Sequence, residues 1–262
     1  MDTLVTYTGP EATGDGSARL TLDSPHNRNA LSTRLITQLH AGLRDAAADP
    51  DVRVVVLGHT GGTFCAGADL SEATEGDPGE LAAGRAREMA ALLRAIVESP
   101  RPVIAAVDGH VRAGGMGLVG ACDLAVAGPG STFALTEARI GVAPSIISLT
   151  LLPKLAPRAA ARYYLTGEKF GAAEAAAIGL ITLAVDSAEG VQSAVADLVA
   201  DLRLGSPQGL AASKALTTAA VLAGFDRDAE RLAVASAQMF VSDEAREGML
   251  AFLAKRPPRW AE

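Results

Sequence analysis

The sequence has little of what several protein classes depend on. Only two of its 262 residues are cysteines. Cys65 and Cys122 cannot build a disulfide framework or a cysteine-based metal site, and we expect both to be small buried residues. Aromatic residues make up 4% of the chain, which leaves little material for a base-stacking platform. The 23 basic and 30 acidic residues include no basic tract, so a general nucleic-acid-binding function is not expected.

Long apolar runs are also missing. Gly, Asp or Arg interrupts each apolar stretch before it reaches the ~20 residues that a membrane-spanning helix needs. Residues 1–16 have neither a basic start nor an apolar core, so we expect no signal peptide and a cytoplasmic location. The four histidines lack the spacing of metal ligands, and no metal site is predicted.

What the chain does contain is a series of strand-like segments in its first half. Alternating apolar and polar residues predict a strand over Ala18–Leu22. The β-branched run Val52–Leu57 predicts a buried parallel strand. Further strands are predicted over Val103–Val107, Asp123–Ala127 and Thr132–Leu135.

Helices are predicted between and after these strands. Ser32 is expected to cap a helix that Asp49-Pro50 ends, and a second helix is predicted from about Arg85 to Glu98. The polar residues 71–84 are predicted to form a mobile loop, and nearly everything beyond Pro153 is predicted to be helical. This order indicates one α/β domain with right-handed crossovers and a helical C-terminal extension.

A glycine-rich passage follows the third predicted strand. Gly115–Gly120 matches the pattern G-x-G-x-x-G, but it does not directly follow the strand that ends at Val107, as a dinucleotide site requires. A P-loop is excluded because no Gly-Lys-Ser/Thr follows. The glycines then either allow close helix packing or leave free N–H groups at a helix start, where an anion can be held. The segment Ala66-Gly67-Ala68 could supply a second N–H, although spacing alone does not decide between these two readings.

A set of short motifs resembles the crotonase superfamily, and its enoyl-CoA hydratases and isomerases most closely. Each motif is weak by itself, but the set occurs in family order and spans nearly the whole chain. The motifs are Asn29-Ala30-Leu31, Phe64–Leu70, Val103–Gly109, Ala113–Gly117, Ala121-Cys122-Asp123, Phe133–Glu137, Leu165–Glu168, Ile178–Ile181 and Glu247–Arg256.

The resemblance implies a crotonase-like α/β fold. A spiral of ββα units over residues 1–200 would carry the acyl-CoA site, continuous with a helical oligomerisation region over residues 201–262. It also implies an acyl-CoA substrate, no separate cofactor, and a homotrimer or a homohexamer made of two trimers. Neither a nucleic acid nor a membrane is an expected partner.

The resemblance also implies the residues of the site. The backbone N–H groups of Ala68 and Gly114 would hold the thioester oxygen, and Glu137 would move protons at the adjacent carbons. Phe252 and Lys255 are expected to reach the nucleotide bound by a neighbouring subunit. The full set of residues implied to contact CoA is Arg28, Ala30, Ala66, Gly67, Asp69, Leu70, Gly115, Phe252 and Lys255. Asp69 and Asp123 are also expected to stabilise turns or cap helices.

One departure from the family pattern leaves three functions open. Gly117 stands where typical hydratases carry their first glutamate, and glycine can neither orient water nor accept a proton. The runs Ala113–Val119, Glu137–Gly141 and Ala143-Pro144-Ser145 resemble a subgroup of branched or carboxylated enoyl-CoA hydratases, which favours hydration. The alternatives are a 3,2-enoyl-CoA isomerase that uses Glu137 as its sole acid and base, and an acyl-CoA-binding protein without turnover.

Overall fold

From the third to the eighth strand, successive strands of the chain alternate between two sheets. A computed structural model describes residues 2–69, 72 and 77–261. Within these residues the strands are β1 (Val5–Thr8), β2 (Ser17–Leu22), β3 (Val54–His59), β4 (Thr63–Cys65), β5 (Val103–Val107), β6 (His110–Arg112), β7 (Leu124–Ala127), β8 (Thr132–Ala134), β9 (Phe170–Gly171) and β10 (Leu183–Ala184).

The helices cover the sheets and make up most of the C-terminal half. They are α1 (Pro10–Thr13), α2 (Thr33–Ala48), α3 (Pro78–Glu98), α4 (Gly114–Ala121), α5 (Ser148–Leu151), α6 (Pro157–Thr166), α7 (Ala172–Ala177), α8 (Ala188–Leu204), α9 (Pro207–Phe240) and α10 (Asp243–Leu253). A short 3-10 turn, Glu137–Ile140, follows β8. No helix in the described part of the chain is long and apolar enough to cross a membrane.

The strand order reveals the repeating unit. One sheet has the order β1-β2-β3-β5-β7-β10, and the other has the order β4-β6-β8-β9. The strand pairs β3/β4 and β5/β6 each place one strand in each sheet before a helix follows, so β3-β4-α3 and β5-β6-α4 are ββα units. The parallel strands β4, β6 and β8 therefore lie side by side in the smaller sheet.

Both faces of the larger sheet are buried, as the β-branched run predicted for β3. Val55 and Leu57 belong to the main core, whereas Val54 and Val56 pack with the valines of α8 on the opposite face. Full burial of each such side chain contributes roughly 1.5–3 kcal/mol. The valines of α8 recur every four residues along one face of the helix: Val191, Val195 and Val199.

The predicted ends of α2 are confirmed, but the predicted start of α3 is wrong. Ser32 Oγ accepts a hydrogen bond from the Leu35 N–H at 3.2 Å, and α2 ends just before Asp49. α3 begins at Pro78 rather than near Arg85, so residues 78–84 are helical and not a mobile loop. Asp77 caps this start by accepting from the Glu80 N–H at 3.0 Å. An Asp-Pro pair followed by a glutamate is a helix-start pattern that the sequence reading missed. Residues 71 and 73–76 of the predicted loop lie outside the described residues.

The helical region beyond Pro153 is confirmed, with the short strands β9 and β10 added to it. The proposed division between residues 200 and 201 falls inside α8, which ends at Leu204. The 34-residue helix α9 packs along α3, and the exposed ion pairs Arg87–Glu230 and Arg94–Asp226 join the two helices. Exposed pairs of this kind contribute about 0–1 kcal/mol each, so apolar packing holds the helices together. Assembly into a trimer or hexamer stays a prediction.

Candidate active site

Three neighbouring parallel strands deliver the predicted catalytic groups to one edge of the smaller sheet. β4 ends at Cys65 and leads into the segment that contains Ala68. β6 ends at Arg112, two residues before Gly114, and β8 ends at Ala134, three residues before Glu137. Because parallel strands end at the same edge of a sheet, the fold brings together groups that lie far apart in the sequence.

The two loops that carry the predicted N–H donors are in direct contact. Gly67 has a φ of +95°, and a Cβ there would lie 2.7 Å from Ala113 Cβ and 3.5 Å from the Gly114 nitrogen. Only glycine allows this backbone conformation and this approach at the same time. Leu31 donates to the Gly67 carbonyl at 2.7 Å and accepts from the Asp69 N–H at 3.2 Å, which holds Ala68 between two bonded neighbours.

Both predicted donors are uncommitted. Among the described residues, neither the Ala68 N–H nor the Gly114 N–H has a hydrogen-bond acceptor. Gly114 is the first residue of α4, so its N–H also lies at the positive end of the helix dipole. Two free N–H groups on touching loops form an arrangement suited to holding a developing negative charge.

The residue that joins β6 to α4 has an unusual backbone conformation. Ala113 has φ 45° and ψ −119°, a combination that L-residues rarely adopt. Such conformations cost of order 1–3 kcal/mol and tend to occur at functional sites. The helix that follows is buried on all sides from Gly115 to Ala121, so packing of α4 fixes the strained turn.

Glu137 has the properties expected of an acid–base residue. It is half-buried, and its Oε2 atom is inaccessible to solvent and has no hydrogen-bond partner among the described residues. Desolvation raises the pKa of Glu137 to about 7, partly offset by a hydrogen bond from its own backbone N–H. No arginine or lysine forms an ion pair with it in the described part of the chain. The carboxyl group can therefore exchange protons near neutral pH.

The position of the family's first glutamate is filled by packing. A Cβ on Gly117 would lie 2.5 Å from Ile147 Cγ2, 3.0 Å from Ile147 Cβ and 3.2 Å from Leu93 Cδ1. The Gly117 carbonyl accepts from Thr150 Oγ1 at 3.1 Å, which binds α5 to α4. No side chain at position 117 could reach the substrate unless Ile147 moved. The packing of the core therefore requires glycine where typical hydratases carry their first glutamate.

This packing predicts that Gly117→Ala destabilises the protein by about 1–3 kcal/mol, because the added methyl overpacks the contact with Ile147. Gly84→Ala is the matched control, since Gly84 lies within α3 and a Cβ there meets nothing within 4 Å. That control is expected to stabilise by about 0.5–1 kcal/mol. Urea unfolding measures both, and equal effects of the two substitutions would contradict the proposed contact.

The residues implied to contact CoA fall into buried and exposed groups. Ala30 and Gly67 are buried, and Gly115 packs against Cys65, so these three shape the backbone. Arg28 is exposed, and its carbonyl accepts from the Ala66 N–H at 3.1 Å. Leu70 lies outside the described residues.

The remaining predicted contacts are half-buried or exposed. Half-buried Asp69 accepts a hydrogen bond at 3.0 Å from Asn27, which lies 42 positions earlier, so this bond joins two separate segments. A role of Asp69 within a turn stays a prediction. Phe252 is 67% exposed on α10, and Lys255 follows that helix with a positive φ of 51°. Both remain predicted contacts of a neighbouring subunit's ligand.

Asp123 is structural, but it does not cap a helix or stabilise a turn. One of its oxygens accepts from the Val103 N–H at 2.7 Å and pairs with Lys214 at 2.8 Å. Lys214 is itself buried and also donates to the Ile96 and Arg101 carbonyls. The pair ties α9 to the start of β5.

Sequence reasoning missed Tyr164, which lies on α6 beside the 3-10 turn. Its hydroxyl is inaccessible to solvent and has no hydrogen-bond partner in the described part of the chain. Burial raises the pKa of Tyr164, and the Glu137 carboxylate raises it further. Its position directly before the family-like run Leu165–Glu168 was the available signal, but a helical pattern does not distinguish a tyrosine in the core from one in a site.

A cavity of about 330 Å³ lies between the larger sheet and α8, and none of Ala68, Gly114 and Glu137 lines it. Its polar lining includes His59, whose Nε2 accepts from the Asp108 N–H at 3.1 Å. Asp108 in turn accepts from the Gly130 N–H at 3.1 Å. Because these groups are already paired, and because Glu137 is not part of the lining, this cavity is not a candidate for the acyl site.

The spiral of ββα units defines a crotonase-type fold, and comparison with known proteins agrees. The chain matches the enoyl-CoA hydratase/isomerase family over residues 13–262. A solved structure of an enoyl-CoA hydratase from Mycobacterium avium is 72% identical with a TM-score of 0.93, and the match covers 99% of this chain and 100% of that one.

Of two more distant relatives, one is named a hydratase and the other an isomerase. An enoyl-CoA hydratase of Mycobacterium tuberculosis is 32% identical over 255 residues, covering 92% of this chain and 91% of that protein. The peroxisomal Delta(3,5)-Delta(2,4)-dienoyl-CoA isomerase of Arabidopsis thaliana is 26% identical over 255 residues, covering 93% and 92%. This chain belongs to the enoyl-CoA hydratase/isomerase family, which acts on acyl-CoA substrates. The resemblance seen in the sequence motifs is confirmed.

Proposed function

We propose that the protein is an enoyl-CoA hydratase, which adds water across the 2,3 double bond of an enoyl-CoA thioester. The observation that carries the proposal is Glu137 Oε2, a carboxylate oxygen that is inaccessible to solvent and has no hydrogen-bond partner among the described residues. The turn that carries Glu137 follows β8 at the same sheet edge that leads to the two free N–H groups. The names of the M. avium and M. tuberculosis relatives also support hydration.

The proposed reaction needs one carboxylate and two donors. The thioester oxygen lies between the N–H groups of Ala68 and Gly114, and ionised Glu137 takes a proton from water as the water oxygen bonds to C3. The electron pair of the double bond moves to C2 and on to the thioester oxygen, giving an enolate that the two N–H groups stabilise. Glu137 then returns its proton to C2, which restores the carboxylate and gives the 3-hydroxyacyl-CoA.

Hydration is tested directly with isotope-labelled water. Incubation of the protein with crotonyl-CoA and with longer and branched 2-enoyl-CoAs in H₂¹⁸O should give a 3-hydroxyacyl-CoA that carries one labelled oxygen, detected by mass spectrometry. If none of these substrates gains label, the protein is not a hydratase.

The second candidate function is tested in the same labelled water with 3-enoyl-CoA as the substrate. Gly117 favours a 3,2-enoyl-CoA isomerase, because moving a proton between C4 and C2 needs one carboxylate and no bound water. An isomerase would convert 3-enoyl-CoA into 2-enoyl-CoA without incorporating label. A protein that binds acyl-CoA without turnover would change neither substrate.

A further inference from the structure

Two buried polar atoms without partners stand out in the described part of the chain. They are Glu137 Oε2 and the Tyr164 hydroxyl oxygen. The other buried atoms without partners are single nitrogens of Arg34, Arg53 and Arg101, and each of these arginines has a different nitrogen that donates a hydrogen bond or forms an ion pair. The hydroxyl oxygen is the only polar atom of the Tyr164 side chain, so no second polar atom of that side chain forms a bond in its place. Since leaving a buried hydroxyl unpaired costs about 1–3 kcal/mol, a ligand atom is the expected partner.

The elements that carry these two side chains are fixed against each other. Arg139, on the 3-10 turn that begins at Glu137, donates from Nε and Nη2 to the Thr166 carbonyl at 3.0 and 2.7 Å. Thr166 is the last residue of α6, two positions after Tyr164. The end of α6 is thus hydrogen-bonded to the turn, so the elements that carry Tyr164 and Glu137 are joined directly.

The two side chains lie on elements that are in contact, and no hydrogen bond joins them. The 3-10 turn that begins at Glu137 packs against α6, and in the part of the chain that the structure describes neither Glu137 Oε2 nor the Tyr164 hydroxyl has a partner. The Glu137 carboxylate also raises the pKa of Tyr164, as expected for neighbouring groups. A water molecule has two hydrogens, so it can bridge a carboxylate and a hydroxyl oxygen on neighbouring elements.

The packing at Gly117 leaves no room for a second carboxylate that could hold a water together with Glu137. Family hydratases are expected to use a glutamate there, but in this chain the space is filled by Ile147 and Leu93. Tyr164 is then the other side chain at this turn with a buried polar atom that lacks a partner among the described residues.

We propose that Tyr164 and Glu137 together hold the water that adds to C3. The inference rests on the proposed hydratase function. The water donates one hydrogen to the Tyr164 oxygen and the other to the Glu137 carboxylate, which leaves a lone pair directed at C3. As the new C–O bond forms, the second hydrogen moves to Glu137 as a proton, and Tyr164 keeps its own proton throughout. Tyr164 therefore orients the water and does not act as an acid or base.

The test compares two reactions of Tyr164→Phe. Hydration of 2-enoyl-CoA needs the oriented water, and its kcat is expected to fall on the order of 10²-fold with KM within about twofold. Exchange of the C2 protons of a saturated acyl-CoA with D₂O needs only Glu137 and the two N–H donors. This exchange is expected to stay within about twofold of wild type, because its chemistry uses no added water.

Tyr163→Phe is the matched control. Tyr163 is the neighbouring residue on α6, and its hydroxyl donates to Glu174 at 2.7 Å, away from Glu137. The control is expected to keep full hydration. An equal fall for Tyr163→Phe, an equal fall in both reactions of Tyr164→Phe, or an unchanged rate of hydration in that variant would each overturn the role of Tyr164. If the wild-type protein hydrates no 2-enoyl-CoA, the proposed function fails along with this inference. If the wild type hydrates and only the Tyr164 result fails, the proposed function stands.

Discussion

Glu137→Gln is expected to lower kcat for hydration on the order of 10²- to 10⁴-fold, the range typical for loss of a general acid–base group. Glutamine keeps the size of the side chain but cannot accept the proton of the attacking water. The affinity for a saturated acyl-CoA should change little, because the proposed contacts with the bound thioester come from the backbone N–H groups of Ala68 and Gly114. Stopped assays with 2-enoyl-CoA and equilibrium binding measure the two quantities.

The pH dependence has a definite sign. Burial raises the pKa of Glu137 to about 7, and the carboxylate is the form that takes a proton from water. The wild-type hydration rate should therefore rise with pH through about 7 and level off above it. The residual activity of Glu137→Gln should not show this rise in rate with pH. Glu168→Gln is the control, since Glu168 pairs with Arg162 at the surface and should keep both the rate and the pH profile.

The pH dependence of protein stability also reports the ionisation of the Glu137 carboxyl, and it does not depend on turnover. A carboxyl whose folded pKa lies above its usual value binds its proton more tightly in the native state, so ionisation costs stability as pH rises from about 4.5 through about 7. Removing the charge should raise the unfolding midpoint of Glu137→Gln relative to wild type at pH 8, with the difference vanishing near pH 4. An unchanged midpoint difference across this range would show that the carboxylate is well solvated.

The donors and the acid were predicted from motifs in family order, because Ala68, Gly114 and Glu137 each lie in one of these motifs. Of the three strands that lead to them, only β8, before Glu137, was also predicted from its own sequence pattern. The three-residue strands β4 and β6 are too short to show a period, so the second sheet was not predicted from pattern alone.

What the sequence could not provide were contacts between distant residues. Nothing near Gly117 indicates that Ile147, thirty positions later, occupies the space of the missing glutamate. Tyr164 likewise has the pattern of a core residue of an amphipathic helix, and only the turn after β8 brings Glu137 beside it. Both features depend on packing between elements, which local propensity does not encode.

Replacing the Gly114 amide by an ester, with glycolic acid in place of glycine, should lower kcat by about 10²- to 10³-fold, as expected for loss of one oxyanion donor. The ester deletes a single N–H and adds no side chain. Gly114→Ala is less informative, because its Cβ would lie 2.7 Å from Leu31 Cδ1 and would disturb packing even with the N–H intact.

The same ester at Gly79 is the control. Gly79 is the second residue of α3, so its N–H also belongs to a first helical turn, and none of the predicted site residues lies on that helix. The loss at Gly114 should appear in kcat much more than in acyl-CoA affinity, since an N–H group holds an enolate oxygen more strongly than a neutral carbonyl. Full activity of the Gly114 ester would mean that the strained turn at Ala113 serves packing alone, and the negative charge would then have to be stabilised elsewhere.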